Sequence, residues 1–96
     1  MEITSKQRAY LRSLAQTEDA LFQIGKSGLT PEFVTSVDEA LEARELVKVG
    51  VLKSCDDDVK ALGQTLSERT RSIFVQTVGR KITLYRPAKK PVIELP

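Results

Sequence analysis

The sequence predicts one α/β domain, in which three helices pack over a mixed four-stranded sheet as a two-layer sandwich. Apolar residues recur at helical spacing in three segments, and β-rich runs follow each of them in the order α-β-α-β-α-β-β. The 96 residues are 41% hydrophobic and 29% charged, which is typical of a globular protein with a single core.

The first helix is predicted to begin after Thr4 and to run to about Thr17. Thr4 and Gln7 have the spacing of a capping box, in which each side chain binds the other residue's backbone N–H. The residues that we expect to form the buried stripe of this helix are Tyr10, Leu11, Leu14 and Ala15.

The middle of the chain predicts strand, helix and strand. Residues 21–24 form a short apolar run, and Thr30 with Pro31 marks a helix start that leads to about residue 45. Residues 46–52 are rich in valine at alternate positions, as in a strand. The outer face of this second helix is acidic.

The last elements are a helix and a hairpin. The acidic residues 56–58 precede a helix that ends near Thr70, and they are explained by capping and by the helix dipole. A magnesium site is the less favoured interpretation of these carboxylates. Strands over residues 72–78 and 81–85 flank Gly79-Arg80, which suits a type II′ turn.

Between the first strand and the second helix lies a Gly-x-x-Gly loop, Gly25-Lys26-Ser27-Gly28. The glycines let another backbone approach closely, and the following helix N-terminus favours an anion. Lys26 adds a positive charge and Ser27 a hydroxyl group. The spacing of a nucleotide-binding P-loop is absent, so a nucleic-acid backbone is the better candidate ligand. A turn with no ligand is the open alternative, since such glycines also occur for geometric reasons.

Charge is strongly segregated along the chain. Residues 69–90 contain seven basic residues and no acidic one, whereas residues 32–58 contain eight acidic and three basic residues. One surface is therefore expected to attract phosphates. The basic residues predicted to contact RNA beside the loop are Lys6, Arg8, Arg12, Arg71, Arg80 and Lys81. Some strand charges serve only to prevent edge-to-edge aggregation.

The composition argues against an enzyme. The chain has no histidine and a single cysteine, Cys55, so we expect no catalytic residue, no metal site, no cofactor and no disulfide. Cys55 is either a buried apolar group or a surface thiol. No apolar run reaches the length of a membrane span and no signal pattern opens the sequence, so a cytoplasmic protein without membrane contact is expected.

Two regions are predicted along the chain. Residues 1–86 carry all the regular elements and form the domain, which we expect to be monomeric. Residues 87–96 contain Pro87, Pro91 and Pro96 and no helical or strand pattern, so they are predicted to form a flexible tail.

Four ordered segments, residues 3–12, 25–28, 39–49 and 71–85, resemble the YhbY-like proteins. These are the single-domain bacterial branch of the CRM domain, named for chloroplast RNA splicing and ribosome maturation. The resemblance implies a fold similar to the C-terminal domain of translation initiation factor three and a Gly-x-x-Gly loop analogous to that of KH domains. It also implies that the domain binds RNA. Bacterial members of the family are associated with precursors of the large ribosomal subunit.

Two functions are thus expected from different classes. The first is a non-catalytic RNA-binding protein that binds ribosomal RNA and assists assembly of the large subunit. No paired aromatic signature for base stacking is evident, so sequence readout is expected to be weak. The alternative is a protein-interaction module whose acidic second helix docks a basic ribosomal protein or an assembly factor.

Overall fold

The seven predicted elements follow one another in a computed structural model that describes residues 2–96. The helices are α1 (Ser5–Ala15), α2 (Pro31–Arg44) and α3 (Val59–Thr70), and the strands are β1 (Phe22–Ile24), β2 (Leu46–Val51), β3 (Ile73–Val78) and β4 (Lys81–Tyr85). The prediction of three helices and a mixed four-stranded sheet is confirmed. No helix within residues 2–96 has the length and apolar character needed to cross a membrane.

Local side-chain caps explain where the helices begin. Thr4 and Gln7 form the predicted capping box, with bonds of 3.1 Å from Gln7 N to Thr4 Oγ1 and 3.0 Å from Thr4 N to Gln7 Oε1. Thr30 accepts a bond from the Phe33 N–H and caps α2. Asp58 caps α3 in the same way, which confirms the capping interpretation for this one of the three aspartates.

The sheet has the strand order β1-β2-β4-β3. β1 is parallel to β2, and the other two pairs are antiparallel, with an irregular register between Phe74 and Gln76 in β3. Since β1 and β2 end on the same side as the β3–β4 turn, the Gly-x-x-Gly loop and that turn lie at one end of the sheet. We call this the GxxG end, and the opposite end, where β2 begins and β4 finishes, the tail end.

The helices lie on both faces of the sheet. α2 and α3 cover one face, where Val47, Val49 and Val51 of β2 are buried, and form the helical layer of the predicted sandwich. α1 packs on the opposite face through Leu11 and Ala15, an arrangement that the two-layer prediction does not include. The predicted buried stripe of α1 is wrong for Tyr10, whose side chain is 38% exposed.

The C-terminal segment contacts the tail end through Glu45. This buried residue has a φ of +68°, and its carboxylate accepts backbone N–H bonds of 2.9, 2.8 and 2.8 Å from Ala88, Val92 and Ile93. Ile93 and Leu95 pack against the α1 cluster. The segment predicted as a flexible tail is thus held by specific bonds in this conformation, and its mobility stays a prediction.

Candidate nucleic-acid interface

The Gly-x-x-Gly loop is a tight turn that directly follows β1. The Gly28 N–H donates to the Gly25 carbonyl oxygen over 3.0 Å, and Gly28 has a φ of +67°, a conformation that favours glycine. Lys26 and Ser27, at the tip of the turn, are both exposed. The turn therefore presents one full positive charge, one hydroxyl group and open backbone to solvent.

The N-terminus of α2 lies two residues beyond this turn. Pro31 occupies the first helical position, and the cap on Phe33 leaves the positive end of the helix dipole close to the loop. Exposed Glu32 in the first turn partly offsets this potential. The dipole of a helix this length supports anion binding at the loop, and Lys26 supplies a full positive charge there.

An acidic side chain also lies beside the loop. A Cβ atom added to Gly28 would be 3.4 Å from Oδ2 of Asp57, in the segment that joins β2 to α3. The sequence gives no signal for this proximity, because the position of Asp57 just before α3 indicates only a helix-start acid. Its carboxylate restricts which side of the loop an RNA phosphate can approach.

The hairpin places the predicted residues Arg80 and Lys81 at the GxxG end. Gly79 has a φ of +59°, as the predicted turn requires, and Lys81 is exposed opposite Gly50 of β2. Arg80 is half-buried, and three of its N–H groups donate to backbone carbonyls of the chain between Val51 and Cys55. Its guanidinium is thus largely engaged within the protein.

The predicted residues of α1 lie on the opposite face of the sheet from α2. Arg8 donates 2.9 and 2.6 Å bonds to the carbonyl oxygens of Phe74 and Val75, at the irregular part of β3. Lys6 and Arg12 are exposed. The predicted contribution of this helix to RNA binding therefore depends on two surface charges and one internally bonded arginine.

Arg71 lies at the other end of the molecule. It ends α3 in the left-handed conformation, with a φ of +54°, and its side chain is exposed at the tail end. α3 is 12 residues long, so about 18 Å separates its two ends. The structure thus groups the Gly-x-x-Gly loop with Arg80 and Lys81, and it does not bring Arg71 to them.

Ion pairing distinguishes the basic residues further. In the described part of the chain, Arg86 alone has carboxylate oxygens within 4.0 Å, those of Asp38 at 2.6 Å and Glu42 at 3.5 Å. Lys26 and Lys81 therefore keep their full charge available to a ligand. Contact of these residues with RNA stays a prediction.

Residues suited to hold a metal ion are not grouped in residues 2–96, where no three histidine, cysteine or acidic side chains converge.

Cys55 is buried, which decides between the two environments that the sequence left open, and its Sγ lies 3.9 Å from Oδ2 of Asp57. The loop, Lys26, Lys81 and the N-terminus of α2 together are suited to binding a phosphate backbone through charge and the helix dipole.

Comparison with known proteins identifies the family. The sequence profile of the CRS1 / YhbY (CRM) domain matches residues 3–86. The chain belongs to this family. The matched part of this CRM domain includes the whole sheet, all three helices and the Gly-x-x-Gly loop.

Two relatives and one solved structure are similar over nearly their whole length. Probable RNA-binding protein YqeI of Bacillus subtilis (strain 168) is 43% identical over 95 residues, which are 98% of this chain and 99% of that protein. An RNA-binding protein of Haemophilus influenzae is 30% identical over 94 residues, covering 98% and 95%. The solution structure of SAV1595 from Staphylococcus aureus, which has been proposed to bind RNA, superposes with a TM-score of 0.84 at 50% identity, covering 99% of this chain and 100% of that one.

Proposed function

We propose that this CRM-domain protein binds RNA at its GxxG end, without catalysis. The observation that carries the proposal is the turn of residues 25–28 just before α2, where exposed Lys26 has no carboxylate within 4.0 Å among residues 2–96. Such a turn suits the sugar-phosphate backbone, because amide groups and a helix dipole favour phosphate oxygens. RNA binding by relatives that match over almost the whole chain supports this proposal.

The proposed mode of binding is through backbone and shape. Gly25 and Gly28 admit the RNA backbone, while Lys26 and Lys81 neutralise phosphates on either side. The large aromatic side chains do not form a platform at this end: Phe22 and Phe33 stack edge-to-face against each other at 5.8 Å, on the core side of the sheet. Discrimination between sequences is therefore expected to be weak.

We further propose ribosomal RNA of the large-subunit precursor as the partner, and the cytoplasm as the compartment. The resemblance to bacterial YhbY-like proteins supports this assignment, in which the protein holds a segment of RNA while the large subunit assembles. A single-domain binder of moderate affinity suits such a transient role, since salt-dependent backbone contacts form and release quickly.

The test is a titration of the purified protein with fragments that span large-subunit and small-subunit ribosomal RNA, at two salt concentrations. We expect salt-sensitive binding with preference for a large-subunit fragment. Lys26→Ala should weaken binding severalfold across fragments and reduce the salt slope by about 0.7 to 1 unit, the share of one phosphate contact. Equal binding to all fragments would contradict the large-subunit assignment, and an unchanged slope would remove Lys26 from the contacts.

A second candidate function is docking of a basic protein on the outer face of α2. It is favoured by Glu32 and Glu39, two exposed acids seven residues apart on one side of the helix that have no basic partner within 4.0 Å among residues 2–96. Glu39→Lys should abolish such docking and leave RNA affinity within about twofold of that of the wild-type protein. Retention of the protein partner by this variant would contradict the candidate.

A further inference from the structure

Arg80 forms a bridge from the hairpin turn to a neighbouring loop. Its Nε donates a 2.9 Å bond to the Val51 carbonyl oxygen, and its Nη2 donates bonds of 2.9 and 3.2 Å to the carbonyls of Leu52 and Cys55. The Val51 N–H in turn donates to the Arg80 carbonyl over 2.7 Å. The planar guanidinium group matches these three acceptors, which a single ammonium group does not span.

The loop that Arg80 holds consists of residues 52–58 and connects β2 to α3; we call it the β2–α3 loop. It packs directly against the Gly-x-x-Gly turn. The Leu52 N–H donates to the Ile24 carbonyl over 2.9 Å, and Cδ1 of Leu52 lies 3.7 Å from where a Cβ atom of Gly25 would be. At the other glycine, the corresponding atom of Gly28 would be 3.4 Å from Oδ2 of Asp57.

These contacts form a continuous path from Arg80 to both glycines. Arg80 bonds to the carbonyls of Leu52 and Cys55, and Asp57 follows Cys55 by two residues. Leu52 lies beside Gly25 and Asp57 beside Gly28, at the two ends of the Gly-x-x-Gly turn. A shift of the β2–α3 loop would therefore change the space in which an RNA backbone approaches residues 25–28. It would also move the Asp57 carboxylate relative to that backbone, with a direct effect on phosphate binding.

We propose that Arg80 is a positioning residue for the RNA-binding turn, which acts by holding the β2–α3 loop beside it rather than by neutralising a phosphate. The inference rests on the function proposed above. It changes the role that the sequence predicts for Arg80, and it leaves Lys26 and Lys81 as the charges that contact RNA at this end.

The experiment compares Arg80→Lys, Arg80→Ala and the control Lys81→Ala, each titrated with one mixed-sequence single-stranded RNA of about 16 nucleotides at several salt concentrations. Lys81 is a matched control because it is the next residue of the same hairpin and is exposed. We expect both Arg80 variants to bind about tenfold more weakly with an unchanged salt slope. The Lys81 variant should lose about 0.7 of a slope unit.

The lysine variant separates the two roles of Arg80. A phosphate contact needs only the positive charge, so Arg80→Lys would then bind as well as the wild-type protein, and Arg80→Ala would reduce the slope as Lys81→Ala does. Either result would overturn the positioning role. If the wild-type protein itself fails to bind this RNA at low salt, the proposed function fails, and the inference fails with it.

A measurement on the free proteins guards against general unfolding. Amide hydrogen exchange in Arg80→Lys should accelerate at Leu52, whose N–H joins the β2–α3 loop to Ile24, and at Gly28, whose N–H closes the neighbouring turn, and it should stay unchanged at Leu11 in α1. Unchanged exchange at Gly28 and Leu52 would contradict the inference. Equal acceleration at all three residues would also contradict it, because it would show a loss of global stability instead of a local effect.

Discussion

The two ends of the sheet differ in what their charged groups contact. At the tail end, Arg86 pairs with Asp38 and Glu42 and also donates to the Thr70 carbonyl, while Glu45 accepts three backbone N–H groups. At the GxxG end, Lys26 and Lys81 are exposed and have no carboxylate within 4.0 Å among residues 2–96. At the tail end the paired groups hold the fold, whereas at the GxxG end Arg80 does so and the two lysines stay exposed.

This difference shows that a count of basic residues does not locate a binding surface. Residues 69–90 contain seven bases, but Arg80 and Arg86 both donate to backbone carbonyls and Arg86 is paired as well. Of the five bases that remain in this segment, only Lys81 lies at the GxxG end, where it joins Lys26 of the loop.

Removal of the Glu45 carboxylate, which holds the C-terminal segment at the tail end, should reduce stability without affecting RNA binding. Glu45→Ala leaves three backbone N–H groups without their acceptor and should lower the free energy of unfolding by about 2–4 kcal/mol, measured by urea denaturation. The control Glu42→Ala removes an exposed carboxylate from a 3.5 Å pair and should cost about 0.5 kcal/mol or less. A tenfold loss of RNA affinity in folded Glu45→Ala would contradict the claim that RNA binds at the GxxG end and not at the tail end.

The Glu45 carboxylate should also make part of the free energy of unfolding depend on pH. Burial alone would raise the pKa of Glu45, but the bonds from Ala88, Ile93 and Val92 outweigh it and hold the pKa below its ordinary value of 4.5. A carboxyl group with a lowered pKa stabilises the fold above pH 4.5, and that contribution is lost as pH falls through the folded-state pKa.

The stability difference between the wild-type protein and Glu45→Gln should therefore be largest near neutral pH and shrink as the solution is acidified below pH 4.5. Denaturation of both proteins across this range measures it. A difference that is constant with pH would show that the ionised carboxylate is not what holds residues 88–93.

At the GxxG end, a substitution should affect binding more than stability. Gly28→Asp should weaken RNA binding more than tenfold, because a side chain and a negative charge enter the proposed backbone site. The control Gly79→Asp has the same charge and a similar positive φ, +59° against +67°, but meets nothing within 4 Å. Melting curves should show a cost of about 1 kcal/mol for Gly79→Asp and a larger one for Gly28→Asp, whose new carboxylate lies beside Asp57. Equal losses of affinity would contradict a site at the loop.

The smallest effect is expected at Arg71. Arg71→Gly removes a charge from a left-handed position that glycine adopts freely, so stability should change by less than about 1 kcal/mol. A short RNA bound at the GxxG end should keep its affinity within about twofold, whereas an RNA long enough to follow α3, about 18 Å, should bind more weakly. A loss with the short RNA alone would place its site at the tail end.

The sequence predicts the elements well because their signals are local. Thr4, Thr30 and Asp58 cap helices through bonds to residues three positions away, and Gly79 meets the needs of its own turn. The composition of residues 25–28 likewise predicts the loop. Each of these features depends on neighbouring residues, whose identities are read directly from the chain.

The features that the sequence misses depend on distant pairs. Arg80 holds carbonyls 25 to 29 residues away, and Glu45 binds amides 43 to 48 residues away. The placement of α1 on the second face likewise depends on packing of Leu11 and Ala15 with β-strand residues far along the chain. Acceptor carbonyls and amides are present in every residue, so no pattern of side chains identifies which of them will be used.

The most direct test of the division between the two ends is an amide NMR titration of the protein with a large-subunit ribosomal RNA fragment. We expect the largest shifts at residues 25–28 and Lys81, and unchanged amides at Ala88, Val92 and Ile93, which bind Glu45. Shifts concentrated at those three amides, with residues 25–28 unaffected, would contradict it.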